Sequence, residues 1–205
     1  MILVKNISQV ITMSNGPIPR VGDSMSDLGI IENGAILIHG DRIVWVGPTK
    51  DIPVREPGIR YQTLDGVGLE LIALPGFVDS HTHPVFAGAR IEEYDLRCQG
   101  KNYQEIAAEG GGIIKSVQQF REATMEQLLE KTERNFRQFL NHGTTTIEAK
   151  SGYGLTLDDE LKSLRILSAL NERNRLEVIP TFFGVNHCIV TIKKGNIVFN
   201  RLEQP

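Results

Sequence analysis

The chain has 205 residues, 40% of them apolar and 23% charged, with a net charge of −3. That length holds one large domain or one and a half small ones, and the mix is that of ordinary soluble globular protein. No basic run or basic–aromatic interleaving points to nucleic acid or an anionic membrane, and the start Met1-Ile2-Leu3-Val4-Lys5-Asn6 shows neither a secretory leader nor a membrane span. Cys98 and Cys188 stand far apart and outside any Cys-x-x-Cys spacing, so they read as free thiols of a cytoplasmic protein.

Residues 1–72 read as a β module. Ile2, Val4, Ile7, Val10 and Ile11 suit one or two strands. Asn15-Gly16-Pro17 and Pro19 break them, and residues 20–34 read as an irregular loop. Ala35–His39 and Arg42–Val46 flank Gly40-Asp41, the pattern of a hairpin with a primed turn. His39 beside that turn reads as a solvated or cross-strand residue. Residues 48–58 read as loop. Residues 61–72 return one or two strands with Asp65-Gly66 as a turn. The module is expected to be mostly antiparallel.

The stretch Leu74-Pro75-Gly76-Phe77-Val78-Asp79-Ser80-His81-Thr82-His83-Pro84 carries the first chemistry. Phe77-Val78 reads as a buried strand, entered through Pro75-Gly76 and left at Pro84. His81 and His83 sit two apart at its end. Side chains at i and i+2 of a strand share a face, so two imidazoles can hold one metal ion between them.

Beyond it the period turns helical. Asn102 caps a short helix over Tyr103–Glu109, which Gly110-Gly111-Gly112 stops; three glycines serve either close ligand approach or a plain connector. Thr124 with Gln127 is a capping-box signature. Met125, Leu128, Leu129, Thr132, Phe136, Phe139 and Leu140 then form one core-facing stripe. His142-Gly143 reads as a helix C-terminus, a structural role. Thr144–Ala149 is the next strand, followed by the polar loop Lys150-Ser151-Gly152-Tyr153-Gly154. A helix from about 156–158 to Asn171 presents Leu161, Leu164, Ile166 or Leu167, and Leu170, with Asp158, Asp159 and Glu160 at its positive end. Residues 176–183 form a third strand.

Strand, helix, strand, helix, strand describes βα units on a parallel sheet. Polar residues follow each strand, where sites of parallel α/β barrels lie. A full barrel takes about 250 residues, and about 130 remain here after the first module.

The stretch Leu74–His83 resembles the first metal-binding strand of the amidohydrolase superfamily, and the β module before it, with its Ala35–Gly47 hairpin, is similar too. More narrowly, His81–Arg90, Tyr94–Ile113, Gly143–Leu155 and Asp159–Leu164 resemble imidazolonepropionase, the hydrolase of histidine degradation. The likeness runs over residues 1–184, the first half of that family's length. It implies an α/β fold: the N-terminal part of a small β-sandwich module (1–72), then the first βα units of a TIM-like (β/α)8 metal-dependent hydrolase barrel (73–184), incomplete here. The tail at 185–205 diverges, and residues 189–199 look like a hairpin with a Gly-Asn turn.

The resemblance implies hydrolysis of 4-imidazolone-5-propanoate to N-formimino-L-glutamate with one zinc or iron ion. His81 and His83 match metal ligands. Arg90 matches a substrate-contacting arginine suited to the propanoate carboxylate. Tyr153 matches another substrate contact. The family's next substrate-contacting histidine falls at Asn186 here, with His187 one place late. The family's later metal ligands, a histidine and an aspartate, and its water-activating glutamate lie past the match. The chain by itself is therefore expected to be weakly active or inactive. Two other readings stand beside this one: a non-catalytic fragment from a changed reading frame or splice, and an amidohydrolase acting on another cyclic amide. The implied partners are a small carboxylate-bearing substrate, with no nucleic acid and no membrane, and a homodimer in the full-length family.

Overall fold

The computed structural model describes residues 1–14, 16, 18–53, 58–184, 187–193 and 196–200, the backbone alone being described at 184, 187–193 and 196–200. The chain divides into two compact units, Met1–Pro75 and Gly76–Pro205. Among the described residues no helix is long and apolar enough to cross a membrane.

The first unit is one five-stranded sheet. Its strands are β1 (Ile2–Ile11), β2 (Ile30–His39), β3 (Arg42–Pro48), β4 (Gln62–Asp65) and β5 (Ile72–Ala73), in the order β3-β2-β1-β4 with β5 also on β1. Leu3, Ile7 and Val10 are its buried β1 residues, a spacing that breaks strict alternation. A bulge interrupts the strand between Leu3 and Ile7: Val4 pairs with Ile36 but Ile7 with Gly34, and Asn6 takes a φ of 56°. One extra residue moves the following side chains to the other face. The β2–β3 hairpin forms as expected, with His39 opposite Arg42. Its turn has a positive φ of 61° at Gly40, the first central residue, as a II′ turn requires.

The long β1–β2 and β2–β3 ladders are antiparallel as expected, while the shorter β4 and β5 run parallel to β1. A parallel pair needs a long connection, and the whole β2–β3 hairpin supplies it. Strand β2 begins at Ile30, inside the segment read as loop. Ile31 pairs with Val10 and Glu32 with Gln9, whose side chains also bond at 3.0 Å, so cross-strand pairing overrides the local Gly and Asn signals. The described residues of this unit form one sheet.

The second unit holds β6 (Phe77–Thr82), α1 (Ile91–Cys98), α2 (Tyr103–Ala108), α3 (Gly112–Glu122), α4 (Met125–Asn141), β7 (Thr144–Lys150), α5 (Leu157–Asn171), β8 (Glu177–Gly184), β9 (His187–Lys193) and β10 (Asn196–Asn200). Sheet order is β10-β9-β8-β7-β6. Strands β6, β7 and β8 are parallel with helices in the crossovers, as the sequence order demands. Strands β9 and β10 then return antiparallel, so the tail does form a hairpin and adds to the same sheet. The Gly195 of its expected turn lies outside the described residues.

Phe120, Leu128, Phe136, Ile147, Ala149, Ile166, Leu167, Leu170 and Val178 pack the helices onto one face of this sheet. Each fully buried large side chain stabilises by about 1.5–3 kcal/mol. Helix α4 is set by the expected box: the Gln127 amide donates to Thr124 Oγ1 at 3.2 Å, and the Thr124 amide to Gln127 Oε1 at 2.9 Å. At its other end the His142 ring donates to the Gln138 carbonyl at 2.8 Å, the structural role expected of it. Helices α1 and α3 escaped the sequence reading. The Gly110–Gly112 run joins α2 to α3, with Gly111 at the N-cap of α3.

Phe77 and Val78 are not a buried strand. They are 53% and 69% exposed. Among the described residues β6 is the outermost strand of its sheet and pairs with β7 alone, which leaves Phe77 and Val78 exposed.

Candidate functional site

The site gathers where β6 and β7 end. Thr82 Oγ1 donates to the Glu148 carbonyl at 2.7 Å and so locks the end of β6 to β7. That places His81, exposed, and His83, half-buried, with ring centroids 5.6 Å apart and planes at 64°. The two rings therefore stand side by side at the end of β6.

His83 sits in a cage. The Tyr153 ring centroid lies 5.7 Å away and the Phe183 ring 5.8 Å away, edge-on at 89°. Its Nδ1 is 3.0 Å from the Ser151 carbonyl. A carbonyl only accepts, so Nδ1 carries the proton and Nε2 of the neutral ring keeps its lone pair for another partner. Ser151 is itself fixed. It is buried, its amide donates to the Thr181 carbonyl at 3.1 Å, and its Oγ accepts from the Phe183 amide at 3.0 Å. Burial, helped by the neighbouring His81, pushes the His83 pKa below its ordinary 6.5, against the opposing pull of the Ser151 bond. The ring is thus held in the form that can donate electrons to a metal.

Glu148, which no sequence signal marked, and Lys150, expected in the polar loop, both belong to this region. On β7 the core-facing Ile147 and Ala149 alternate with Glu148 and Lys150, which share the other face and form an ion pair, both side chains mostly buried. The alternation was visible in Thr144–Lys150; what hid the pair was reading Lys150 as the start of the loop. A third residue is Glu160. Rather than only facing the helix dipole, it is buried and accepts from the Gly154 and Leu155 amides, each at 2.8 Å. Arg121 grips the same turn from the other side, donating to the Gly154 carbonyl at 3.0 and 2.7 Å. Together they hold the loop that carries Ser151 and Tyr153.

Arg90 is the N-cap of α1. Its guanidinium lies 3.7 Å from the Glu93 carboxylate. Asn186 lies outside the described residues. His187 opens β9, paired with Gly184, and its side chain is not described. Among the described residues no cluster of three or more His, Cys, Asp or Glu side chains could hold a metal ion. His81 and His83 fit two ligands of such an ion, fewer than the three usual for catalytic zinc.

Known structures share the fold. Guanine deaminase from Bradyrhizobium japonicum superimposes with a TM-score of 0.60 at 18% identity, covering 90% of this chain and 35% of that one. E. coli guanine deaminase gives 0.57 at 21% identity, over 89% and 37%.

Sequence comparison narrows this further. Residues 34–55 match the imidazolonepropionase-like composite domain of bacteria. The imidazolonepropionase of Solibacter usitatus is 48% identical over 88% of this chain, and that of Symbiobacterium thermophilum 44% over 90%. The chain spans 43% of the length of each of these curated relatives. The resemblance to imidazolonepropionase read from the sequence therefore stands, for the N-terminal part of that family.

Proposed function

We propose that this chain carries the first metal-ligating and substrate-binding residues of an imidazolonepropionase, on the opening βα units of a (β/α)8 barrel. The reaction is hydrolytic opening of 4-imidazolone-5-propanoate to N-formimino-L-glutamate, a cytoplasmic step of histidine degradation. His81 and His83 are two ligands of a single zinc or iron ion. The metal supplies Lewis acidity and an activated water. Tyr153, beside His83, contacts the ring, and Arg90 pairs with the propanoate carboxylate through a charge-assisted fork. Asn186 and His187 remain candidates for a further substrate contact, and a homodimer for the assembly of full-length members.

One observation carries the reading. Of the residues that match the family's ligand and ring-contact positions, the His83 ring stands 5.6 Å from His81 and 5.7 Å from Tyr153, with its Nδ1 taken by the Ser151 carbonyl and Nε2 left as the electron-pair donor. A second reading, a binding fragment without turnover, is favoured by the missing third ligand among the described residues. Both are tested together. The purified chain is loaded with zinc or iron, its metal content is measured, and loss of imidazolone absorbance is followed. His81→Ala with His83→Ala is expected to abolish specific metal uptake, and equal uptake by that double variant would overturn the assignment. Substrate turnover by the chain would eliminate the second reading; metal uptake without turnover would leave it as the description of these residues alone.

A further inference from the structure

The proposed carboxylate anchor, Arg90, has a partner that no sequence motif marked. Glu93 lies one turn on in α1, and 12% of its side chain is exposed, against 35% for Arg90. One carboxylate oxygen lies 3.7 Å from the Arg90 guanidinium. The other accepts the Gly112 amide at 2.8 Å, in the first turn of α3. A single carboxylate thus joins the start of α1 to the start of α3, and the helix end favours its negative charge. Arginine loses rotamer freedom when it binds, and a side chain already held gives up less of it.

We infer that Glu93 is the positioning residue for Arg90, holding one side of the guanidinium so that the remaining N–H groups face an anionic ligand. This rests on the reading of Arg90 as the carboxylate anchor. The two contacts of Glu93 can be separated chemically. Glutamine in its place keeps an oxygen for the Gly112 amide and loses the charge that attracts Arg90. Glu93→Gln should therefore keep the hydrogen bond to α3 and lower the unfolding midpoint only slightly, by the charge lost at the helix end, whereas Glu93→Ala should lower it further.

The test is calorimetric titration of the metal-loaded chain with imidazole-4-propanoate and with its uncharged propanamide. Wild type is expected to prefer the propanoate. Glu93→Gln is expected to weaken propanoate binding about fivefold while leaving the propanamide unchanged. Unchanged or tighter propanoate binding would overturn the inference, the latter by making Glu93 a competitor of the ligand. A ligand-free readout accompanies it: the ¹⁵N resonance of Arg90 Nε, ordered in wild type and motionally averaged in Glu93→Gln. If wild type shows no preference for the propanoate, the role of Arg90 falls. The resonance then still decides on Glu93: averaging supports its hold on Arg90, and an unaltered signal refutes it.

Discussion

At the scale of single residues, the site depends on the ring of His83 and on what surrounds it. Gly152 decides how tightly that ring can be enclosed. Its φ is 133°, where side chains are strained, and a Cβ there would stand 3.2 Å from Phe183 and 3.3 Å from the His83 ring. Gly152→Ala is expected to cost about 1–3 kcal/mol, measured as a shift in denaturant midpoint. It should also weaken metal uptake, because the added methyl pushes on His83 itself. A variant that kept both wild-type midpoint and metal content would show that the cage is not tight. The glycine stands in a loop recognisable from the sequence, but its reason is tertiary: Phe183 comes from β8 and His83 follows β6.

At the scale of elements, the sequence is most legible where local chemistry decides. The capping box at Thr124, the stripe on α4, the Gly40 turn and the His142 end all follow from neighbours within a few positions. It is least legible where a strand is recruited by a distant partner, as Ile30–Gly34 is by β1. The link between β1 and β4 gives this a measurable form. Asp65 binds Lys5 at 2.8 Å, the Asn6 side chain at 2.7 Å and the Val67 amide at 3.1 Å. These bonds, that of Lys5 foremost, hold its pKa at about 2 rather than the ordinary 3.8. Between those two values the unfolded carboxylate takes up a proton while the folded one stays charged. The contribution of Asp65 is therefore complete above 3.8 and is lost as the pH falls toward about 2. Asp65→Asn should be less stable than wild type near neutral pH and match it at the acid end of that window. A stability gap that did not change with pH would refute the role.

At the scale of the second unit as a whole, the outer strand β6 leaves its parallel edge open among the described residues. Phe77 and Val78 are exposed there, and a 420 Å³ groove lies alongside, lined by Asp79, His83, Phe86, Asn135, Phe139 and His142 among others. The groove shares His83 with the candidate site but touches none of His81, Arg90 or Tyr153, so it flanks the chemistry rather than housing it. Open, apolar strand edges template pairing with other chains. Val78→Lys, a change on an exposed face, is expected to alter stability by no more than about 0.5 kcal/mol. It should reduce concentration-dependent association measured by light scattering. Association unchanged by the lysine would place the sticky surface elsewhere.

The sequence by itself determined the βα order, the caps and turns, the family resemblance and the placement of His81 and His83 on one face, because each follows from periodicity or from side chains close along the chain. Only the tertiary structure decided that Phe77-Val78 lies on an open edge, that Glu160 and Arg121 hold the Tyr153 loop, and that Glu93 holds Arg90. Those outcomes depend on which strand ends up outermost and on contacts between separate elements, such as the one that brings Gly112 to Glu93. The metal pair shows both sides. Its spacing is a property of the end of β6 and the residue just after it, whereas the protonation of His83, and with it the nitrogen left for a metal, is set by a carbonyl 68 positions away.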